Sequence, residues 1–175
     1  MKSWLQPIPV LFLAVVLTGM ATLGACTSKE PATEGFAIYL TKNDISPTML
    51  PAMNYIGLAD APLISGDDIV SYDAKTHEIK LSDEAFVRIT ELKVPTTGKS
   101  FVVCVDNQIK YVGAFWTPIS SQSFDGITIV KPLGSDKKVI QIGLGYPGAG
   151  FFQGYDTRSD RKILDALEKV GKLVG

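Results

Sequence analysis

The chain has 175 residues, 46% of them hydrophobic and 20% charged, with a formal net charge of −1. That balance is globular, since disordered chains are poorer in apolar residues and richer in net charge. No basic block or stripe occurs, so the composition excludes a nucleic-acid binder, which needs clustered Lys and Arg against phosphates.

Lys2 opens an uncharged stretch that lasts to Lys29 and contains the apolar run from Val10 to Leu17. It closes on small residues as Leu23-Gly24-Ala25-Cys26. A positive start, an apolar centre and a small-residue end are the parts of an export signal. The last four residues resemble the bacterial lipobox. The resemblance implies that residues 1–25 are a lipoprotein signal peptide and that Cys26 carries the lipid. Two or more acyl chains would then hold the protein on the membrane, which one chain does only marginally. The competing reading is an uncleaved transmembrane helix, because more than about 18 uncharged residues can span a bilayer. Pro7 and Pro9 shorten its helical part, and either way the folded part lies outside the cytoplasm.

Residues 26–35 read as the lipidated Cys and a tether, with Ser, Lys, Glu and Pro and no apolar pattern. Treated as a coil, nine residues reach about 17 Å. Thr27 stands where an Asp would resemble an inner-membrane retention signal, so the outer membrane is favoured in a cell that has two. Removing residues 1–25 leaves about 150, the size of one domain, and residues 36–175 are read as that domain.

Phe36-Ala37-Ile38-Tyr39-Leu40 is expected to be a strand closed by the turn residues that follow. Residues 47–60, with Pro47 and Pro51, suit a short helix or irregular segment. Asp67 to Tyr72 leads into a polar turn at 73–77. Glu78-Ile79-Lys80-Leu81 alternates as a half-buried strand does. Ser82 is expected to cap a helix whose first turn carries Asp83 and Glu84 and whose buried face is Ala85, Phe86, Ile89 and Leu92. Strands follow at 100–105 and 109–114, joined by a tight turn at Asp106-Asn107-Gln108. Residues 115–125 are expected to be a loop, with strands again at 127–130 and 139–144, and a polar turn at Gly134-Ser135-Asp136 before the second. A glycine-rich loop covers 143–154. A last helix, capped near Ser159, carries the stripe Ile163, Leu164, Leu167, Val170, Leu173 and Val174. The expected fold is α+β: one domain, a mostly antiparallel sheet covered by two main helices.

The segment from Ser65 to Ile129 resembles the head of the first periplasmic region of SecD and SecDF, accessory proteins of bacterial preprotein export. The likeness rests on Gly66-Asp67-Asp68, on the helix start Leu81-Ser82-Asp83-Glu84-Ala85-Phe86, and on a Gly-Lys turn. Two strands then read Phe101-Val102-Val103-Cys104-Val105-Asp106 and Ile109-Lys110-Tyr111-Val112-Gly113. The final Leu167-Glu168-Lys169-Val170-Gly171-Lys172-Leu173 is also similar. The resemblance implies a compact α+β head standing alone on a lipid anchor. The family's transmembrane export segments have no counterpart here, and Lys131 to Gly154 departs from its pattern, so proton-driven translocation is not carried over.

Chemistry-bearing residues are few. His77 is the only histidine, so any Ser–His or Cys–His mechanism would have to use it; its polar turn is expected to be solvated. Cys104 sits in an apolar run and reads as a small buried hydrophobe. Asp67, Asp68 and Asp73 lack the spacing of a calcium loop, and zinc has too few Cys and His, so no metal or cofactor is expected. Gly143-Leu144-Gly145-Tyr146-Pro147-Gly148 spells a dinucleotide fingerprint, yet Pro147 and Gly150 stand where its helix should begin.

Two stretches are the binding candidates. In Phe115 to Phe124, Trp116 would anchor a partner while Ser120 and Ser121 fix it, or the aromatics would fill the core while the serines make turns. In the second, consecutive Phe151 and Phe152 cannot both point inward if extended, so one would be free to touch a partner or the bilayer. The expected function is a non-enzymatic, membrane-anchored envelope lipoprotein that binds a protein or peptide. The alternatives are a small-molecule-binding module, an envelope hydrolase using acidic residues, or a purely structural envelope component.

Overall fold

The computed structural model describes residues 35–133 and 136–175. The expected signal peptide, Cys26 and all of the tether except Gly35 lie outside the described residues, as do Gly134 and Ser135 of the turn expected there.

The described residues form strands β1 (Phe36–Leu40), β2 (Ile69–Asp73), β3 (Glu78–Leu81), β4 (Lys99–Val105), β5 (Gln108–Trp116), β6 (Phe124–Val130), β7 (Val139–Tyr146) and β8 (Leu173–Val174), with helices α1 (Asp83–Glu91) and α2 (Arg161–Lys169). One eight-stranded sheet runs in the order β1-β4-β5-β6-β7-β3-β2-β8. Its pairings are antiparallel except β5 with β6 and β2 with β8. This is the expected α+β class. Strand β7 holds the two halves of the sheet together: Val139 to Gln141 pair with β3, while Ile142 to Tyr146 pair with β6.

Local sequence accounts for much of this. Ser82 accepts a hydrogen bond from the Ala85 N–H at 3.2 Å, capping α1 as its position promised. Asp106 and Asn107 both adopt positive φ, 49° and 61°, between β4 and β5. Short side chains that bond locally tolerate that region, and it matches the twist of a two-residue hairpin.

Alternation along the strands gives the sheet two different faces. Phe36, Ile38, Phe101, Val103, Phe115, Ile127, Ile129 and Ile142 point to one face, where Ala85, Phe86 and Ile89 of α1 and Ile163 and Leu167 of α2 close the main core. On the other face Ala37, Tyr39, Val102 and Cys104 meet Ile56 and Leu58 of the irregular segment after β1, and Trp116 clusters with Ala114, Tyr146 and Phe124.

Phe124 and Asp125 of the expected 115–125 loop open β6, and Gly143 to Tyr146 of the expected 143–154 loop lie in β7, because both segments pair with each other across the sheet. Three further expectations need correction. Residues 115 and 116 are not loop: β5 runs on to Trp116 because Gly113 to Trp116 pair in parallel with Ile127 to Val130, a partner distant in sequence. The last helix is capped by Asp160, which accepts from the Lys162 N–H at 2.8 Å, and not by Ser159. It also stops at Lys169. Gly171 takes φ of 70°, its N–H bonds the Glu168 carbonyl, and the Lys172 N–H bonds the Leu167 carbonyl. A left-handed glycine with those two bonds is a standard helix stop. Leu173 and Val174 therefore become β8 beside β2, and Val170 is exposed.

Candidate functional site

The face without α-helices carries a cleft of about 630 Å³. Its floor is Val112 and Gly113 of β5 with Phe124 to Gly126 of β6; its walls are Pro47 to Pro51, except Met49, and Phe151 with Gln153. The opening exists because β5 and β6 pair only from Gly113 and Ile127 onward, while the β6–β7 register shifts between Phe124 and Ile127. The wall at 47–51 is held in place from below. Thr41 Oγ1 accepts from the Ile45 N–H at 2.9 Å, and the Ser100 hydroxyl donates to the Ile45 carbonyl. The opposite wall is pinned by the Gln153 N–H bonded to the Asp125 carbonyl at 2.8 Å. Apolar lining with a few polar groups is the make-up of binding clefts. Asp125 is the one ionisable side chain among the described lining residues.

Trp116 lies beneath this face and is buried. Its ring stacks on Phe124 at 5.1 Å with 12° between planes and tilts against Tyr146 at 5.7 Å. A side chain at Gly98 would sit within 2.2 Å of that ring, so glycine is needed there. Phe124 passes the support on, since it both stacks on Trp116 and lines the cleft. Trp116 thus shapes the cleft floor from below and does not touch its contents. Ser120 donates to the Thr96 carbonyl at 2.6 Å and accepts from the Gln122 N–H at 3.1 Å, bracing its own turn. Ser121 is exposed outside the cleft lining, where Ser123 stands instead. The two phenylalanines divide: Phe151 is half exposed in the cleft wall, while Phe152 packs against the main core.

A polar cluster forms a second centre. His77 is not in a solvated turn, as its neighbours suggested, but buried. Its backbone takes φ of 55°, its N–H bonds the Asp73 carbonyl, and its carbonyl accepts from the Ile142 N–H. That left-handed turn swings the ring inward to Tyr72, whose hydroxyl lies 2.9 Å from Nδ1. Burial, and then the Arg158 guanidinium, push the His77 pKa below its ordinary 6.5. A neutral ring accepting the Tyr72 proton fits that direction. Burial raises Tyr72 to about 12, so it is no base near neutrality. Arg158 grips Asp156 with two hydrogen bonds at 2.9 and 2.7 Å and donates to the Ile142 carbonyl at 2.8 Å. The Arg158 bonds pull Asp156 down to about 2. The cluster works as a latch that ties the 73–77 turn and the 156–158 loop to the midpoint of β7, while the buried Tyr111 hydroxyl, which feels Tyr72, Arg158 and Asp156, has no hydrogen-bond partner among the described residues. Sequence reading missed it, although an Asp and an Arg two residues apart before a helix was a usable signal.

The remaining candidates are structural. Cys104 is buried, and that burial raises its thiol to about 11. Asp68 is no free turn acid: hydrogen bonds from Ser65 and Arg88 outweigh burial and hold its carboxyl below the ordinary value. Asp73 accepts from the Lys75 and Thr76 N–H groups. Gly143 to Gly148 opens only a single 3-10 turn, Ala149–Phe151, and the next α-helix starts at Arg161. Gly145, at φ of 64°, is there because a side chain would meet the Gly148 carbonyl and the Phe152 N–H at 2.7 Å. Among the described residues no His, Cys, Asp or Glu cluster is placed to hold a metal, and no helix is long and apolar enough to cross a membrane.

No known protein family, curated protein or solved structure matches the chain.

Proposed function

We propose that this chain is a lipid-anchored envelope protein that holds a protein or peptide partner in the cleft between the 47–51 segment and the β5–β6 floor, without performing chemistry. The observation that carries the reading is the cleft itself: Leu50, Val112, Phe124 and half-exposed Phe151 line it beside Pro47 and Pro51, with no acid–base pair among the described lining residues. Such a surface suits apolar side chains of an extended segment, with Thr48, Ser123 and Gln153 to orient its backbone. The SecD-like reading of residues 65–129 rests on the sequence motifs of that stretch, and it too favours a protein partner. Anchoring rests on the Leu23-Gly24-Ala25-Cys26 signature. A small-molecule module is the second reading, since the cleft volume also falls in the range of small-ligand sites.

A photo-crosslinking residue at position 151 of the full chain, expressed in cells and read by mass spectrometry, separates these. The expected result is one dominant protein adduct that is lost when Thr48→Trp fills the cleft and absent from a crosslinker at position 93. A single low-mass adduct supports the small-molecule module. Scattered adducts insensitive to Thr48→Trp overturn both.

A further inference from the structure

The described chain begins at the tip of the β4–β5 hairpin. The Gly35 N–H donates to Asp106 Oδ1 at 2.7 Å, and the Asp106 N–H returns a bond to the Gly35 carbonyl at 3.1 Å. A groove runs from this tip along α2. On its helical side Lys162, Asp165 and Lys169 share one stripe, being three and four residues apart; Lys110 of β5 faces them. Val170, exposed, closes the end of the groove.

The charges here do not follow the chain as a whole, which is −1. Asp165 is met by Arg161 at 3.8 Å, and Asp106 is occupied by the Gly35 N–H. Lys162 and Lys169 have no carboxylate partner among the described residues, and Lys110 bonds only the Gln108 side chain. With Lys110, Lys162 and Lys169 against Asp106 and Asp165, and Arg161 beside Asp165, the groove carries a small positive excess with an apolar residue at its edge.

Its position matters as much as its charge. Gly35 is nine residues from Cys26, and even fully extended that length spans no more than about 30 Å. If Cys26 bears the lipid, the tether joins the domain beside this strip and keeps the strip within reach of the headgroups. We infer that Lys110, Lys162 and Lys169 seat the domain on anionic phospholipid headgroups, with Val170 entering the interface. This goes beyond the partner cleft but rests on the anchor reading. Seating by the hairpin tip leaves the cleft free, because Pro47 lies near Gly98, before the other end of β4.

The test uses the full lipidated chain reconstituted into vesicles of phosphatidylcholine alone or mixed with phosphatidylglycerol. Flotation first reports whether the chain is held by the vesicles. A water-soluble amine-acylating reagent, read by mass spectrometry, then reports each lysine. In the anionic vesicles labelling of Lys110, Lys162 and Lys169 is expected to fall by about fivefold relative to Lys42 and Lys93, and high salt is expected to restore it. A chain that floats but labels equally in both vesicles overturns this inference alone. A chain that floats with neither overturns the anchor reading and the seating with it. Equal protection by soluble glycerol phosphate, or protection in neutral vesicles that grows with protein density, overturns seating in favour of a free phosphate or a second copy.

Discussion

The two faces of the sheet are built on opposite plans. The helix-covered face is closed by large apolar side chains interdigitating from seven strands and both helices, with Phe101, Phe115, Ile129 and Ile142 removed from solvent. The other face is covered by irregular chain, held by hydrogen bonds to Thr41, Ser100 and Tyr146 and by the stacked rings of Trp116 and Phe124. Burial fills space without direction, whereas hydrogen-bonded loops can be fixed while leaving a gap. The cleft therefore lies on the face where folding depends least on close packing, so its rim can change with little cost to stability.

That contrast can be broken at several strengths. The largest effect is expected from Phe101→Ala, whose ring packs edge-on to Phe115 at 5.2 Å and occupies the space beside Gly113. Chemical denaturation should show a loss of about 3–5 kcal/mol. A loss under about 1 kcal/mol would mean that the helix-covered face is not the principal core. Next comes the latch. Arg158→Ala removes the guanidinium bonds to Asp156 and the Ile142 carbonyl, leaving Asp156 only the backbone N–H of residue 158, and should cost about 2 kcal/mol, with faster amide exchange in the 73–77 turn than elsewhere.

The latch also predicts a pH signature. The folded-state pKa of His77 lies below its ordinary 6.5, so the unfolded chain takes up a proton first as pH falls. The stability due to neutral His77 is complete above pH 6.5 and is lost as pH falls from there through the lower folded value. Asp156 loses its contribution later, between its ordinary 3.8 and about 2. Thermal unfolding followed against pH should therefore show an early decline below 6.5 that His77→Gln removes, leaving the acid decline in place. Superimposed curves would show that His77 does not titrate from a buried site. The smallest effect is expected at the cleft rim: Phe151→Ser should shift stability by less than about 0.5 kcal/mol while abolishing the partner adduct formed from a crosslinker moved to position 48 of the same cleft. A large loss of stability would make Phe151 a core residue and erase the contrast between the faces.

Helix α1, the hairpin at Asp106-Asn107 and strands β1 and β3 were legible because each is specified by neighbours in the chain: a capping serine, two turn-forming residues, a period of two. Burial of Cys104 was legible for the same reason, its flanks being apolar on both sides. The cleft was not, because its floor depends on where β5 and β6 part company, and the residues concerned are more than ten positions apart. His77 was misread for a related reason. Its immediate neighbours are polar, but its backbone turns left-handed and sends the ring toward Tyr72 and the 156–158 loop. Phe151 and Phe152 fall between these cases. The extended geometry assumed for them is absent, since Phe151 ends the 3-10 turn Ala149–Phe151, and packing alone chose Phe151 to face outward.

By itself the sequence determined the α+β class, the capped helix, the hairpin and the near-zero net charge, because composition and local backbone preference act within a few residues. Tertiary structure alone decided the parallel pairings, the end of α2 at Lys169, the latch around Arg158 and the place of the cleft. Those depend on contacts between distant segments, whose energies no local pattern records.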